Sequence, residues 1–403
     1  MLKDEIILRE AEELRDYTTE LRRTFHRIAE TSNHEFRTSA RIQEELNTLG
    51  IPFVKVPGTG LIGIIDTGKP GLHLALRTDI DALPVPENEC NLAKERVVRS
   101  ETPETTCHAC GHDAHMAMCL TAGRILNSHK DELEGIIYLC FEEGEENNTG
   151  WPAMLKELEN YAIDAVWGIH VWSAMDSGTL CVQPGPRMAG MSWVQPHFHG
   201  RGGHGSRPDL SINPTICAAN YLVNAATAMT QKITAGETVT CGFTSLKGGI
   251  VGNVIPDDCK VLGTFRFFNM EEGKKAVRLV SDIAEHTAAM YGCTVDELPD
   301  LDEIIPPTVN DPYIAGILED AFGKMLPEGT VVSHEPWYAT ETFANYLMKY
   351  PGAFMHLGIR NKELGSGAEH HNTFFDVDES VMPTGVECTV RFVTAMIEKG
   401  LKK

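Results

Sequence analysis

An α/β domain with a mixed, largely parallel sheet, interrupted by a small inserted βαββαβ domain, is the fold the sequence predicts. Three observations carry that expectation. Short apolar runs alternate with helical stretches near both ends of the chain, a different order of elements occupies the stretch from about 190 to 304, and 403 residues exceed what one core comfortably holds. Hydrophobic residues make up 42% of the chain and charged residues 23%, the balance of a globular protein and not of a disordered or fibrous one.

Taken in order, residues 5–50 carry helical periodicity, with Leu8, Leu14, Leu21, Phe25, Ile28, Ile42, Leu46 and Leu49 as inward positions and Gly50 placed to close the second helix. Apolar runs follow at 61–65, 72–76, 136–141 and 165–169, with a helix near 114–128 among them. Such alternation argues for helices layered on a largely parallel sheet. After Pro184-Gly185-Pro186 the order becomes strand 193–199, helix 213–231, strands 238–246 and 258–268, helix 271–291 and strand 293–298, which is the ferredoxin-like signature. Past Pro306-Pro307 the first style returns, with a helix at 312–325, a strand at 353–358 and a helix at 379–399. Residues 1–188 and 305–403 are therefore expected to form one domain and 189–304 the inserted one. There are no repeats and no low-complexity tracts.

Charge narrows the class of partner. With 57 acidic against 35 basic residues the formal charge is -22, which repels phosphate backbones and anionic lipid, so neither nucleic acid nor a membrane is expected to bind. The N-terminal stretch mixes charges throughout and has no apolar signal-like region, and no apolar run approaches a bilayer span. Eleven cysteines, an odd number and mostly isolated in apolar runs, fit reduced thiols in a cytoplasm better than a disulfide framework.

Chemistry collects where the apolar runs end. The run 72–76 leads into Arg77-Thr78-Asp79-Ile80-Asp81, 136–141 into Glu142-Glu143-Gly144-Glu145-Glu146, and 165–169 into His170. Sites in open α/β sheets form in the crevice outside the carboxyl ends of the strands, so Asp, Glu and His would converge there as ligands for a divalent metal. A fourth segment, Cys107-His108-Ala109-Cys110-Gly111-His112-Asp113-Ala114-His115, crowds further ligands just before a helix. In an extended loop Cys110 and His112, two apart, would point the same way and grip one ion. Each piece alone has a plainer reading: an incidental Cys-x-x-Cys, a satisfied core histidine, a solvated acidic strand exit. Their coincidence at one kind of structural position argues for a metal site. A second histidine-rich stretch, His197-Phe198-His199-Gly200-Arg201-Gly202-Gly203-His204, lies in the inserted domain, where a loop with exposed histidines is the plain alternative. The pair His370-His371 near the C-terminus could complete a metal shell or sit on the surface.

At these residues the chain resembles the amidohydrolase branch of the aminoacylase/carboxypeptidase metallopeptidase family, which includes hippurate hydrolase and the auxin-conjugate hydrolases. The resemblance runs from Leu21–His26 to the His371 segment, and its most specific motif is 108–118 (HACGHDAHMAM), followed by 77–84 (RTDIDALP), 202–208 (GGHGSRP) and 253–257 (NVIPD). It implies two divalent ions per subunit, zinc or manganese with cobalt or nickel as alternatives, held by Cys110, His112, Glu146, His170 and His371. It further implies Glu145 as general base toward a metal-activated water and Asp81 as the carboxylate that orients the centre, while Asp79 stands where other branches place a histidine. His204 resembles the inserted-domain histidine that steadies the oxyanion in a partner subunit, and Asn253 and Arg266 match positions that grip substrate. The inserted domain would then be a lid and dimerisation domain of a homodimer, beside a catalytic metal-binding domain.

The resemblance implies cleavage of the amide bond of N-acyl amino acids, hippurate-like or N-acetyl and aryl-acyl conjugates. A dipeptidase or carboxypeptidase of the same family, and a non-catalytic metal-binding relative, are the alternatives. Departures from the family pattern bear on the pocket: Glu142-Glu143-Gly144 replaces a usual Gln-Pro-Ala, Thr340-Glu341-Thr342-Phe343 lacks a common aspartate, and His371-Asn372-Thr373 replaces His-Ser-Pro.

Overall fold

The apolar runs become strands of a single seven-stranded sheet. A computed structural model describes residues 2–401 and divides the chain into two compact units, one comprising the chain up to Gly185, Val309–Glu335 and the chain from Asn345, the other Pro186–Thr308 and Pro336–Ala344. In the first unit the strand order is Phe53–Lys55, Leu61–Asp66, Ile136–Glu142, His73–Asp79, Ala165–Asp176, Gly352–Arg360, Leu180–Cys181. The four central strands are mutually parallel and the outer pairings antiparallel, so the sheet is mixed with a parallel heart, as expected. The middle strands are apolar on both faces because helices cover both faces.

The helix His112–Ser128 is buried along most of its length and packs against the strands. Its closeness to the sheet depends on small residues: a Cβ at Gly123 would stand 2.5 Å from Leu139 Cδ1. The helices Arg15–Arg27 and Met382–Lys399 pack against it, and Trp167 stacks on Phe392 with ring centroids 5.2 Å apart. Of the inward positions expected in the first fifty residues, Leu21, Phe25, Ile42 and Leu46 are buried, while Leu8, Leu14, Ile28 and Leu49 are half-buried at the margin of this core. That region holds three helices, Asp4–Glu13, Arg15–Arg27 and Phe36–Thr48.

The second unit has the element order βαββαβ. Strands Val239–Lys247, Asp258–Phe267, His197–His199 and Thr294–Asp296 lie side by side, with Gly190–Val194 also on Asp258–Phe267, every pairing antiparallel. Helices Pro214–Lys232 and Met270–Tyr291 bury one sheet face around Phe198, Tyr221, Phe265, Phe267 and Val280. Asn213 and Asn269 cap these helices by accepting from the second and third following backbone N–H groups. The single strand expected over 193–199 is broken at Gln195-Pro196, where proline has no N–H to give the ladder. Among the described residues no helix is long and apolar enough to cross a membrane.

Candidate metal centre

The helix begins at His112, two residues earlier than the sequence suggests, so Cys110 and His112 do not share an extended loop. Gly111 between them has φ 90°, a left-handed turn that a side chain would resist, and a Cβ there would fall 2.4 Å from Val171 Cγ2. That turn, and not strand-like alternation, places Cys110, His112 and His170 so that one ligand atom of each lies within 4.8 Å of the others. His170 itself is not at a strand end: Ala165–Asp176 continues beyond it, with His356 opposite on the neighbouring strand.

Hydrogen bonds fix which nitrogens face the cluster. His112 Nδ1 lies 2.9 Å from the Asp81 carbonyl oxygen and 3.1 Å from its Oδ1, and His170 Nδ1 lies 2.6 Å from the Val171 carbonyl. A carbonyl can only accept, so both Nδ1 atoms carry a proton and each Nε2 is the nitrogen turned toward the other ligands. Cys110 Sγ is 3.5 Å from His170 Nε2 and 3.6 Å from His370 Nδ1. Glu146 puts Oε1 3.8 Å from His112 Nε2 and Oε2 3.4 Å from His371 Nε2. Asp81 accepts from Ser32 Oγ and from the Glu146 N–H, tying the strand exit 77–81 to the loop that carries the glutamates. Glu145, Glu146 and His112 form another close group, as do Cys110, Glu146 and His371. Every one of Cys110, His112, Glu145, Glu146, His170 and His371 is thus gathered in one place.

His112 Nε2 and Glu146 Oε1 are buried and have no hydrogen-bond partner. A buried polar atom left without a partner is costly, and here two of them stand 3.8 Å apart. A divalent cation satisfies both, and the Cys/His/Glu donors beside them are the ligands that borderline metals take. The residues present therefore fit a metal centre.

Electrostatics agrees. Burial, helped by Glu146, pushes the Cys110 thiol well above its usual range. Burial likewise holds His170 and His370 low, reinforced by neighbouring histidines. His112 goes the other way: burial opposes its charge, but Asp79, the hydrogen bond to Asp81 and Cys110 raise it. A bound cation would take the place of these protons, since metal ligands bind deprotonated.

Behind the cluster stands a buried support whose roles the sequence pattern does not assign. His115 Nδ1 gives its proton to Asp79 at 2.8 Å, and its Nε2 accepts the Val171 N–H at 2.9 Å. Arg77 donates to Asp79 at 3.0 Å and to Glu142 at 2.9 Å, and Glu142 also accepts from the Tyr346 hydroxyl. His115 was visible as the i+3 neighbour of His112 on one helix face. Against burial, His112, His115 and Arg77 keep Asp79 well below the carboxylate range.

The other three expected residues lie in the second unit. His204 is exposed on a two-residue strand paired with Val254–Ile255, and its Nδ1 accepts the Ser206 N–H at 3.1 Å, so Nε2 carries the proton. Asn253 adjoins it, accepting the Gly205 N–H at 2.8 Å through its backbone carbonyl. Arg266 donates to the carbonyls of Tyr338 and Phe265 at 3.1 and 2.8 Å.

Comparison with known proteins agrees with this architecture. The sequence profile of peptidase family M20/M25/M40 matches residues 75–395. Thermostable carboxypeptidase 1 of Saccharolobus solfataricus is 34% identical over 379 residues, 93% of each chain. The IAA-amino acid hydrolase ILR1-like 4 of Arabidopsis thaliana is 30% identical, over 94% of this chain and 85% of that one. A crystal structure of a dinuclear metal-binding peptidase of the M20 family from Bacillus subtilis superposes with a TM-score of 0.80 at 25% identity, covering 96% of this chain and 99% of that one.

Proposed function

The chain belongs to peptidase family M20/M25/M40 and is a metal-dependent amidohydrolase of small-molecule amides, and from that premise we propose that it cleaves N-acyl amino acids, hippurate-like or N-acetyl and aryl-acyl conjugates. The observation that carries this reading is the pair of buried, unpartnered polar atoms, His112 Nε2 and Glu146 Oε1, inside a ring of further ligands. Cys110, His112, Glu146, His170 and His371 would hold two divalent ions per subunit. The donor set suits zinc or manganese, and cobalt or nickel as well. Bound cations would supply Lewis acidity, lowering the pKa of water toward about 7 and polarising a carbonyl.

The rest is done by side chains. Glu145, beside His112 and Glu146, takes the proton of the attacking water and delivers it to the leaving amine, so the acyl carbon gains an oxygen as the C–N bond breaks. Asp81 holds the imidazole of His112 in the tautomer that presents Nε2. Glu145→Gln is expected to lower kcat by on the order of 10²–10⁴ with metal content retained. Near-native turnover would remove Glu145 from this role.

His204 would donate its Nε2 proton to the developing oxyanion of the partner subunit in a homodimer, while Asn253 and Arg266 hold the substrate's carboxylate or carbonyl. Its exposure, its proton placement and the adjoining Asn253 support this reading. Mixing His204→Ala and Glu145→Ala proteins should restore about a quarter of native activity, since random assortment makes half the dimers hybrids with one working site each. No recovery would assign His204 to its own chain. Eleven cysteines outside any disulfide fit a cytoplasmic setting.

A second reading, a carboxypeptidase or dipeptidase, is favoured by the carboxypeptidase relative. Acetyl, benzoyl and indoleacetyl amino acids assayed beside dipeptides and blocked peptides separate the two. Release of amino acid from the acyl conjugates alone supports the first reading, and release from peptides alone the second.

A further inference from the structure

A second cluster of metal-type ligands lies wholly within the smaller unit and shares no residue with the candidate metal centre. Phe198 is fully buried against the helices, so by strand alternation His197 and His199 share the opposite, solvent-facing side of the sheet. Their rings are 4.3 Å apart. The flanking strands add carboxylates on that same side: in register, Asp296 stands opposite His197 and Asp258 opposite His199. His199 Nε2 is 2.9 Å from Asp296 Oδ1, and His197 Nδ1 is 4.0 Å from that same oxygen. His197 also faces Asp258 at 3.7 Å and Glu297 at 3.6 Å. The cation of the patch, Lys260, is paired with Glu297.

We propose that His197, His199 and Asp296 form a second metal site, taking a borderline dication such as zinc, nickel, cobalt or copper. One ligand atom from each already lies within 4.8 Å of the others, so closing to coordination distance asks for side-chain rotation alone. With neutral imidazoles, the patch of Asp258, Asp296, Glu297 and Lys260 carries a formal charge of -2, which one dication balances. Two imidazoles select against calcium and magnesium, which prefer oxygen. Thr294–Asp296 is the edge strand of its sheet, and an ion bridging it to His197–His199 would staple that edge to its neighbour. The plainer alternative is a set of exposed ion pairs, which would contribute little.

The test is a count of ions on the full-length protein. Wild type, His199→Ala and Asp296→Asn are dialysed to equilibrium against micromolar zinc, and bound metal per chain is measured by atomic emission. Wild type should hold one ion more per chain than either variant, and zinc should raise the unfolding temperature of wild type more than that of the variants. With copper, the nitrogen hyperfine pattern of this site in electron paramagnetic resonance should disappear in His199→Ala. Should His199→Ala fail to fold, the near-isosteric Asp296→Asn carries the comparison. Equal ion counts in wild type and variants would overturn the site and leave surface ion pairs only.

Discussion

His112 and Asp113 are consecutive residues on the first turn of one helix, yet their side chains enter two buried polar clusters that solve the same problem in opposite ways. Asp113 Oδ2 accepts from Arg22 Nε at 2.8 Å and from His26 Nδ1 at 2.7 Å, and His26 Nε2 reaches Glu87 at 2.7 Å. Arg22 also meets Asp376 and Glu379, and Arg96 approaches Glu87 and Asp376. Here the protein supplies its own positive charge. Around His112 it supplies a thiol, carboxylates and imidazole lone pairs, while the nearby guanidinium, Arg77, is turned to Asp79 and Glu142 behind the cluster. Asp113 Oδ1 does lack a partner, but its sister oxygen holds two charged donors, whereas His112 Nε2 and Glu146 Oε1 face each other with none. Burial and charge alone do not mark a metal site; metal-type ligands gathered around unpartnered buried atoms do.

The largest expected effect follows from that difference. A chelator should abolish amide hydrolysis, and readdition of zinc or manganese should restore it. Cys110→Ser should lower both bound metal and turnover. Full activity after verified metal removal would mean that the two clusters do not differ in the way described.

The self-neutralised cluster should answer differently, with a loss of stability and no loss of bound metal. Removing one partner of a buried ion pair costs on the order of 3–5 kcal/mol, so Arg22→Met should lower the unfolding free energy obtained from urea denaturation by that amount while the metal count stays unchanged. Its pH dependence is also set. Burial works against a charged His26, but Asp113 and Glu87 outweigh it, with Arg22 opposing, and the imidazole rises to about 9. A group raised in the folded state stabilises fully below its unfolded value near 6.5, and the contribution fades as pH climbs through about 9. That amounts to about 3 kcal/mol at one pKa unit per 1.36 kcal/mol. His26→Gln should flatten the stability curve between these limits; an unchanged slope would place the proton elsewhere.

Much of the centre was legible because parallel strands deliver their carboxyl ends to one side. Asp81 and the glutamates after Ile136–Glu142 could be placed from apolar runs alone. What remained hidden depends on partners distant in sequence. In the acidic run 142–146, Glu142 is fixed by Arg77 and Tyr346, Glu143 by Thr59, and Gly144 by Glu35, while Glu145 and Glu146 lie beside His112. No local pattern distinguishes these carboxylates, nor reveals that Gly111 would turn left-handed. His370 was equally ambiguous until Ser173 donated its N–H to Nε2 and left Nδ1 facing Cys110.

The smallest effect is expected three residues before Cys110. Cys107 is as buried as a core residue, and its backbone exchanges two hydrogen bonds with Leu83. Burial, with Glu87 next, pushes its thiol up to about 12, so at neutral pH it stays protonated and can act neither as nucleophile nor in disulfide exchange. Burial also raises Cys110, but Cys110 faces the acceptors a cation would bind, and coordination would strip its proton. Cys107→Ser should therefore leave metal content unchanged, hold kcat/KM within about twofold and cost on the order of 1 kcal/mol from a slightly mismatched core. A thiol oxidoreductase built on this Cys-x-x-Cys demands the reverse, loss of activity in Cys107→Ser and indifference to chelators. The difference between the two thiols thus lies in what each side chain faces, although the motif presents them alike.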